Sequence, residues 1–374
     1  IWNLVSRMEQ PLIGNNKEDE GVEKCREQYT QAIQHCINGD FTSALNLCTS
    51  DQKDQLDSST CQVIAEIKAK PLPPQTFRNN TESSVLLFPD FLLLVLDLTN
   101  EPETRTTSDF DYYKRDKLLS RFHDYKPCNI KKFYDNLLMY RLMLDFYIDR
   151  VEYVQGAGHH YLLFKDDDEN HSCLKQYEAM LHVSTNNFYE WLKPFLKYIK
   201  ETATQVSSSQ LLSKLKEIDN QNHPFVKDIN MLRYGVVDRY WFWRLDYYLW
   251  ERHSVVFKDF HEIESKAIFN YEFRTNRSIE HLHPQDESQN IRWNKDEYDL
   301  NDFGNLAMIS QSFNSTQSND SVKVKFARIE DQAATGDLQS LKLYHMYLSA
   351  NRSHEGWNEQ KAKANGIAMF NILK

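Results

Sequence analysis

Apolar side chains recur every three or four residues over several long stretches of the chain. This spacing places them on one face of a helix, and it predicts amphipathic helices around residues 130–142, 188–199 and 237–249. A continuous apolar run, Phe91 to Leu96, lies inside the stretch from Val85 to Leu98. The run is far shorter than the ~20 residues that span a bilayer. We therefore predict that it is buried in a protein core, and we expect no membrane partner.

Glycine and proline are scarce, with 10 of each in 374 residues, which favours long helices over a many-stranded sheet. The proline-rich stretch at 70–74 is interpreted as a connector between helical parts. After Phe269 the apolar segments become shorter and richer in residues that favour β-strands. We predict a mostly α chain in three parts. A helical segment (1–75) and a helical scaffold (76–269) precede a C-terminal domain (270–374). The aromatic row from Tyr240 to Trp250 suits base stacking, but helical spacing favours core packing.

The formal net charge is −10, although proteins that bind nucleic acids contact phosphates with Lys and Arg. From Tyr271 onward there are 12 Lys and Arg against 14 Asp and Glu, so this region carries −2 and the remainder −8. A basic stretch between Lys114 and Lys132 suits phosphate contacts, but a solvated helix face is the favoured interpretation. The overall charge therefore does not exclude a local nucleic-acid surface.

Cysteine usage bears on the compartment, because none of the six cysteines forms a C-x-x-C pair. This pattern argues against a zinc ribbon and favours buried free thiols in a reducing compartment. No secretory signal is visible, so we expect a cytoplasmic protein, and the first residue, Ile1, suggests a fragment of a longer chain. The cysteines are Cys25, Cys36, Cys48, Cys61, Cys128 and Cys173.

The short segment that contains Glu280 and His281 has residues suited to phosphodiester hydrolysis. That reaction needs a nucleophilic water, a base and positive charge for the phosphate. Adjacent side chains on an extended segment point to opposite faces, so one can hold a divalent ion while the other activates water. Asn305, in a returning loop, can bond to the backbone and fix the hairpin, and Asn314 can supply a second oxygen to the ion. A half-buried structural histidine is the alternative for His281.

These residues stand in a recognisable order: Glu280-His281-x-x-Pro284-Gln285, then Gly304-Asn305-Leu306, then Asn314 and Asn319. The order resembles the ββα-metal (His-Me finger) fold of HNH nucleases. It is similar to the C-terminal nuclease domain of GmrSD-type, modification-dependent restriction endonucleases. The resemblance is clearest from about Trp241 to the end of the chain, roughly a third of its length.

The resemblance implies a role for each matching position. His281 would be the general base, Glu280 and Asn314 the ligands of one Mg²⁺ or Mn²⁺ per site. Asn305 would orient the hairpin and the imidazole. His283 stands at a variable position of the family and receives no role. Substrate contacts are expected from Asn319, Lys323 and Lys325.

The resemblance also implies a function, which is metal-dependent cleavage of double-stranded DNA within a prokaryotic anti-phage restriction system. Full-length members of the family begin with a ParB-like NTPase domain. Nothing before Ile130 resembles its motifs, so that domain is expected to be missing from this chain or to belong to a partner. Two alternatives stay open. One is a non-catalytic DNA-binding or regulatory subunit with a retained HNH fold, and the other is an RNA-cleaving effector.

Overall fold

The computed structural model describes residues 1–8, 10–13, 19–49, 82–100, 112–124, 130–154, 157–185, 187–202, 205–260, 265–285, 293, 298–310, 321–351 and 356–374. The predicted mostly α fold is confirmed. The chain forms two compact units, residues 1–178 with 186–222, and residues 179–185 with 223–374. The three-part division predicted above stays a prediction. Within the described ranges, no helix is long and apolar enough to cross a membrane.

The first unit is built mainly from helices. They are α1 (Trp2–Val5), α2 (Asp19–Ile37), α3 (Phe41–Thr49), α4 (Phe88–Asn100), α5 (Leu118–His123), α6 (Ile130–Tyr147), most of α7 (His171–Ser184), α8 (Tyr189–Thr202) and α9 (Ser208–Asn222). A small antiparallel sheet has the order β1-β2-β3, formed by β1 (Glu82–Ser83), β2 (Arg150–Val154) and β3 (Ala157–Tyr161).

Helix α6 is the buried centre of this unit, and it carries two charged side chains that water does not reach. Arg141 and Asp145 pair at 3.0 Å, and Arg150 approaches the same carboxylate at 2.9 Å. Asp145 accepts a bond from the amide of Leu12, while Arg141 donates to the carbonyl of Val5, both at 2.8 Å. Buried charges are tolerated when they are paired and hydrogen-bonded. This group therefore fastens the first residues of the chain to α6.

Two expectations from the sequence are confirmed in the first unit. The run from Phe91 to Leu96 is buried inside α4. Every cysteine in the described residues is a free thiol, and burial raises the pKa of Cys36 and of Cys48 to about 12. In the basic stretch, Arg115 forms an exposed ion pair at 2.6 Å with a carboxylate of α4.

The second unit contains helices around one small hairpin. Its helices are α10 (Tyr240–Glu251), α11 (His253–Val256), α12 (Ser265–Phe269), α13 (Val322–Thr335), α14 (Leu341–Ser349) and α15 (Glu359–Leu373). The hairpin pairs β4 (Ser278–His281) with β5 (Leu306–Ile309), antiparallel, so that Glu280 lies opposite Ala307 and His281 opposite Leu306. Short 3₁₀ turns cover Ile229–Leu232 and Phe303–Asn305.

Helix α10 is buried on nearly every side, as the core interpretation of its aromatic row predicted. Its one acidic residue in the core, Asp246, accepts bonds from the Lys342 amide at 2.8 Å, the Ser340 hydroxyl at 3.1 Å and the Tyr271 hydroxyl at 3.2 Å. Burial raises the pKa of Asp246 to about 7. Asp246 thus fixes the first turn of α14, where Ser340 is the N-cap.

Lys342, in the first turn of α14, links this helix to the hairpin. Its buried ammonium donates to the carbonyls of Phe303 and Leu306, at the start of β5, and lies 3.8 Å from the centre of the Phe303 ring. Burial lowers the pKa of Lys342 well below its usual range. The position of β5 therefore depends on a side chain that belongs to a helix.

We predict that Asp246→Ala destabilises the second unit by about 2–4 kcal/mol, because it leaves buried donors without their acceptor. Asp246→Asn should cost clearly less, since the amide oxygen still accepts a bond. Urea unfolding followed by tryptophan fluorescence measures both. Asp331→Ala, an exposed helical aspartate, is the matched control. Equal stability of Asp246→Ala and this control would contradict the connection described here.

Candidate active site

Glu280 and His281 occupy the last two positions of β4, and both are buried, with 7% of each residue exposed. Their side chains meet different neighbours. Lys325 of α13 contacts the Glu280 carboxylate, whereas the His281 ring lies against Tyr234. This separation follows from the alternation of side chains along a strand. The adjacent pair therefore serves two different environments.

The imidazole of His281 is held by a polar contact and a ring contact. Its Nε2 lies 3.0 Å from Oδ1 of Asn301, and the Tyr234 ring centre lies 4.7 Å from its own. Gln285 donates to the same Asn301 oxygen at 3.0 Å. Gln285 Nε2 lies 3.3 Å from the same ring nitrogen. The shorter contact, with the Asn301 amide oxygen, suits the tautomer that carries its proton on Nε2 and its lone pair on Nδ1.

Burial lowers the pKa of His281, and the nearby ammonium of Lys325 lowers it further. The hydrogen bond to Asn301 and the charge of Asp299 act in the opposite direction. The net direction is downward from 6.5, so the ring is neutral at pH 7. A neutral imidazole with a lone pair on Nδ1 is the form that can take a proton from water.

Asn305 sits at the point where the chain enters β5, and it is fully buried. Its Oδ1 accepts from the His283 amide at 2.8 Å, and its Nδ2 donates to the carbonyls of His283 at 2.9 Å and Leu300 at 3.0 Å. Trp357 donates to the same Oδ1 at 3.3 Å. The side chain therefore ties together both ends of the loop that joins the strands, while the polar contact to the imidazole comes from Asn301.

Glu280 shares its carboxylate with a buried cation. The Lys325 ammonium donates to Oε1 of Glu280 and, at 2.5 Å, to the carbonyl of His281. Only 4% of the Lys325 side chain and 9% of the Glu280 side chain are exposed. Lys325 of α13 thus contacts the end of β4, where its positive charge offsets the negative charge of Glu280.

The remaining predicted site residues are distributed differently. Asn314 and Asn319 lie outside the described residues. Lys323 is exposed on the first turn of α13. His283, which received no role, stacks on Trp293 with ring centres 4.1 Å apart.

Asn301 and Tyr234 are site residues that the sequence did not single out. Asn301 lies in the polar loop before Asn305, and Tyr234 precedes a glycine in a loop ahead of α10. The Tyr234 amide donates to the Asn301 carbonyl at 2.9 Å, which brings the two loops together. The available signal was the segment Asp299-Leu300-Asn301-Asp302, in which three of four residues are polar. Nothing in this segment indicates which side chain contacts the imidazole.

The donors at this site suit a hard divalent cation. Carboxylate and amide oxygens are the ligands that Mg²⁺ and Mn²⁺ prefer, and Glu280 supplies a buried carboxylate at the end of β4. A cation bound to Glu280 would share that carboxylate with Lys325. Glu280 thus offers the kind of ligand atom that such a cation prefers, and Lys325 already supplies one positive charge to it.

Because Lys325 and Glu280 form a buried pair, we predict that Lys325→Met destabilises the protein by about 3–5 kcal/mol. The double variant with Glu280→Gln should lose less than the sum of the single changes, by at least about 1 kcal/mol. Chemical unfolding of the four proteins gives this coupling. Lys323→Met removes an exposed lysine from the same helix turn and should change stability by no more than about 0.5 kcal/mol. Additive single changes would argue against the pair.

Comparison with known proteins bears on this unit. Residues 225–372 match the family model described as GmrSD restriction endonucleases, C-terminal domain. No curated protein and no solved structure matches the chain. The predicted resemblance to the GmrSD C-terminal domain is confirmed, whereas the HNH assignment stays a prediction. The match begins upstream of Trp241, so that it includes Tyr234. Every residue described above as part of the site lies within the matched range.

Proposed function

Since residues 225–372 match the family model described as GmrSD restriction endonucleases, C-terminal domain, we propose that this protein is a metal-dependent endonuclease that cleaves double-stranded DNA. The observation that carries the proposal is the pair Glu280–His281 at the end of β4. Nε2 of the imidazole contacts Asn301, burial lowers the pKa of the ring, and the carboxylate of the preceding residue is buried as well. We propose that His281 is the general base and Glu280 a metal ligand.

The reaction follows from the tautomer of His281. Nδ1 takes a proton from water, and the resulting hydroxide attacks the phosphorus atom. The bond between phosphorus and the 3′ oxygen breaks, which leaves a 5′-phosphate and a 3′-hydroxyl after the departing oxygen takes up a proton. Asn301 holds the ring while its charge changes, because its oxygen continues to accept the Nε2 proton. Asn305 keeps the hairpin fixed from the backbone side.

Mg²⁺ or Mn²⁺, one per site, would be held by Glu280 together with Asn314. When bound, the ion supplies positive charge to the pentacovalent phosphate and to the leaving oxygen. Lys325 adds an ammonium on the same carboxylate. We retain Asn319 and Lys323 as proposed contacts to the DNA, and Lys325 as a contact that acts through Glu280.

The proposed biological role is restriction of foreign DNA, in line with the family whose model residues 225–372 match. A ParB-like NTPase domain or subunit would supply the nucleotide dependence and the choice of target. The first unit, with its N-terminal residues fastened by Arg141 and Asp145, is proposed to dock that partner or to position the substrate. The nuclease unit would supply the cleavage chemistry.

We predict that His281→Ala reduces plasmid nicking by about 100-fold or more, the usual contribution of a positioned general base. Asn301→Ala should cause a smaller loss, because the base stays but is no longer oriented. His253→Ala, on α11, is the matched control and should cleave at the normal rate. Nicking of supercoiled plasmid by purified protein measures all three. Unchanged activity of His281→Ala would favour the non-catalytic subunit, and preferential cleavage of structured RNA would favour the RNA-cleaving effector.

Removal of divalent cations with EDTA is predicted to abolish cleavage, and added Mg²⁺ or Mn²⁺ should restore it, because the phosphate otherwise lacks its main positive charge. Glu280→Gln should weaken Mn²⁺ binding by at least about tenfold, since a neutral amide replaces a charged ligand. Calorimetric titration of the two proteins with Mn²⁺ measures this effect without DNA. Cleavage at an undiminished rate in EDTA would rule out the proposed metal dependence.

A further inference from the structure

A cavity of about 270 Å³ opens on the second unit beside the candidate active site. It lies between the turn Ile229–Leu232, the loop that ends in Phe303, and helix α15. Cavities that take drug-sized ligands begin at roughly 300 Å³. This one is therefore of the size that suits a single ring system rather than a larger molecule.

The walls of this cavity are largely apolar, with polar groups grouped among them. Apolar surface comes from Ile229, Tyr298, Phe303 and Ile367. Polar surface comes from the side chains of Asn230, Arg233, Asp302 and Lys363, which offer both donors and acceptors. A flat occupant with apolar faces and a hydrogen-bonding edge matches such a lining.

The floor of the cavity is rigid, because helix α15 and the 3₁₀ turn before β5 approach more closely than side chains allow. A Cβ added at Gly304 would lie 1.9 Å from the carbonyl oxygen of Ala362. A Cβ at Gly366 would lie 3.1 Å from the Gly304 nitrogen. The backbone contact leaves no freedom for the floor to collapse into the space above it.

Two walls of the cavity are the same segments that hold His281. Arg233 lines the cavity, and the next residue, Tyr234, packs on the imidazole. Asp302 lines it as well, and the preceding residue, Asn301, bonds to Nε2. Consecutive Cα atoms are about 3.8 Å apart. Each of these two cavity-lining residues is therefore the direct sequence neighbour of a residue that contacts the His281 ring.

These two walls are also bonded to each other. Arg233 pairs with Asp299 and, at 3.0 Å, with Asp302, and Tyr234 donates to the carbonyl of Asn301. These contacts link the two walls to each other. The cavity and the imidazole are thus contacted by neighbouring residues of the same two segments.

We propose that this cavity binds an unstacked nucleobase of the DNA substrate, from a nucleotide next to the cleaved phosphate. The inference rests on the proposed function, since it takes DNA as the substrate. Bases are the flat, apolar part of DNA, and their edges carry the donors and acceptors that the cavity matches. A base within a duplex stack cannot enter such a cavity, so the nucleotide must turn out of the stack. Lys363, exposed at the rim, is placed to contact the adjoining phosphate.

The test uses the full chain with His281→Ala, so that DNA is bound without being cut. Duplexes carry 2-aminopurine at positions on either side of the cleavage site mapped with the unaltered protein. This fluorophore brightens when it leaves the stack, and we expect a rise of about threefold or more at one position. Ile367→Trp, which fills the mouth of the cavity at a half-exposed position, should remove most of that rise.

Val255→Trp is the matched control, because it places the same side chain on an exposed apolar position of α11, away from the cavity. It should keep the full rise, and fluorescence anisotropy with labelled DNA checks that each protein still binds. If Ile367→Trp does not fold, Lys363→Met provides the second variant, expected to weaken the rise. No rise at any position, or an equal rise with Ile367→Trp, overturns the proposal.

The nicking assay separates this inference from the proposed function. If the unaltered protein cleaves, His281→Ala does not, and 2-aminopurine stays stacked, only the cavity proposal fails. If His281→Ala cleaves at the full rate, the proposed function fails whatever the fluorescence shows. Absence of DNA binding by all variants counts against both.

Discussion

The hydrogen bonds from the Lys342 ammonium to the carbonyls of Phe303 and Leu306 are the contact on which the site most depends. A hairpin with four residues in each strand is at best marginally stable in water by itself. Here the entry to β5 is bonded to a side chain of α14. The first turn of that helix is fixed in turn by Asp246 of α10. The position of His281, opposite Leu306, is thereby set by helices distant in sequence.

The segment Gly304-Asn305-Leu306 has a separate physical reason at each of its positions. Gly304 is required because the backbone of α15 passes where a Cβ would stand. Asn305 provides both a donor and an acceptor to the backbone around the hairpin loop, which a leucine or an aspartate could not do. Leu306 begins the strand that pairs with His281. The three residues therefore provide a close contact between two backbones, a set of hydrogen bonds to the backbone and the start of a strand.

The sequence predicted the parts of the structure that depend on local spacing. Periodic apolar residues located α6, α8 and α10, and the short β-prone segment located β4. Contacts that arise only when distant elements meet were not predictable in this way. Asn301 and Tyr234 reach the imidazole from different loops, and the partner of Glu280 is a lysine 45 residues away. Lys325 had been expected on the substrate because a lysine near an active site is read as a phosphate contact, and its burial against Glu280 depends on how α13 packs.

The balance of charges around Glu280 and His281 bears on why the proposed chemistry calls for an added cation. The negative charge of Glu280 is offset by the positive charge of Lys325. The single positive charge of Arg233 faces two carboxylates, those of Asp299 and Asp302. These five groups sum to −1, and the imidazole is neutral. A pentacovalent phosphate gains negative charge, so it would meet no surplus of positive charge from these side chains. Lys325 reduces the repulsion between Glu280 and a phosphate, but its charge is already paired with that carboxylate. In the proposed reaction, a hard divalent cation at the carboxylate would supply this positive charge, and acidic surroundings favour such an ion.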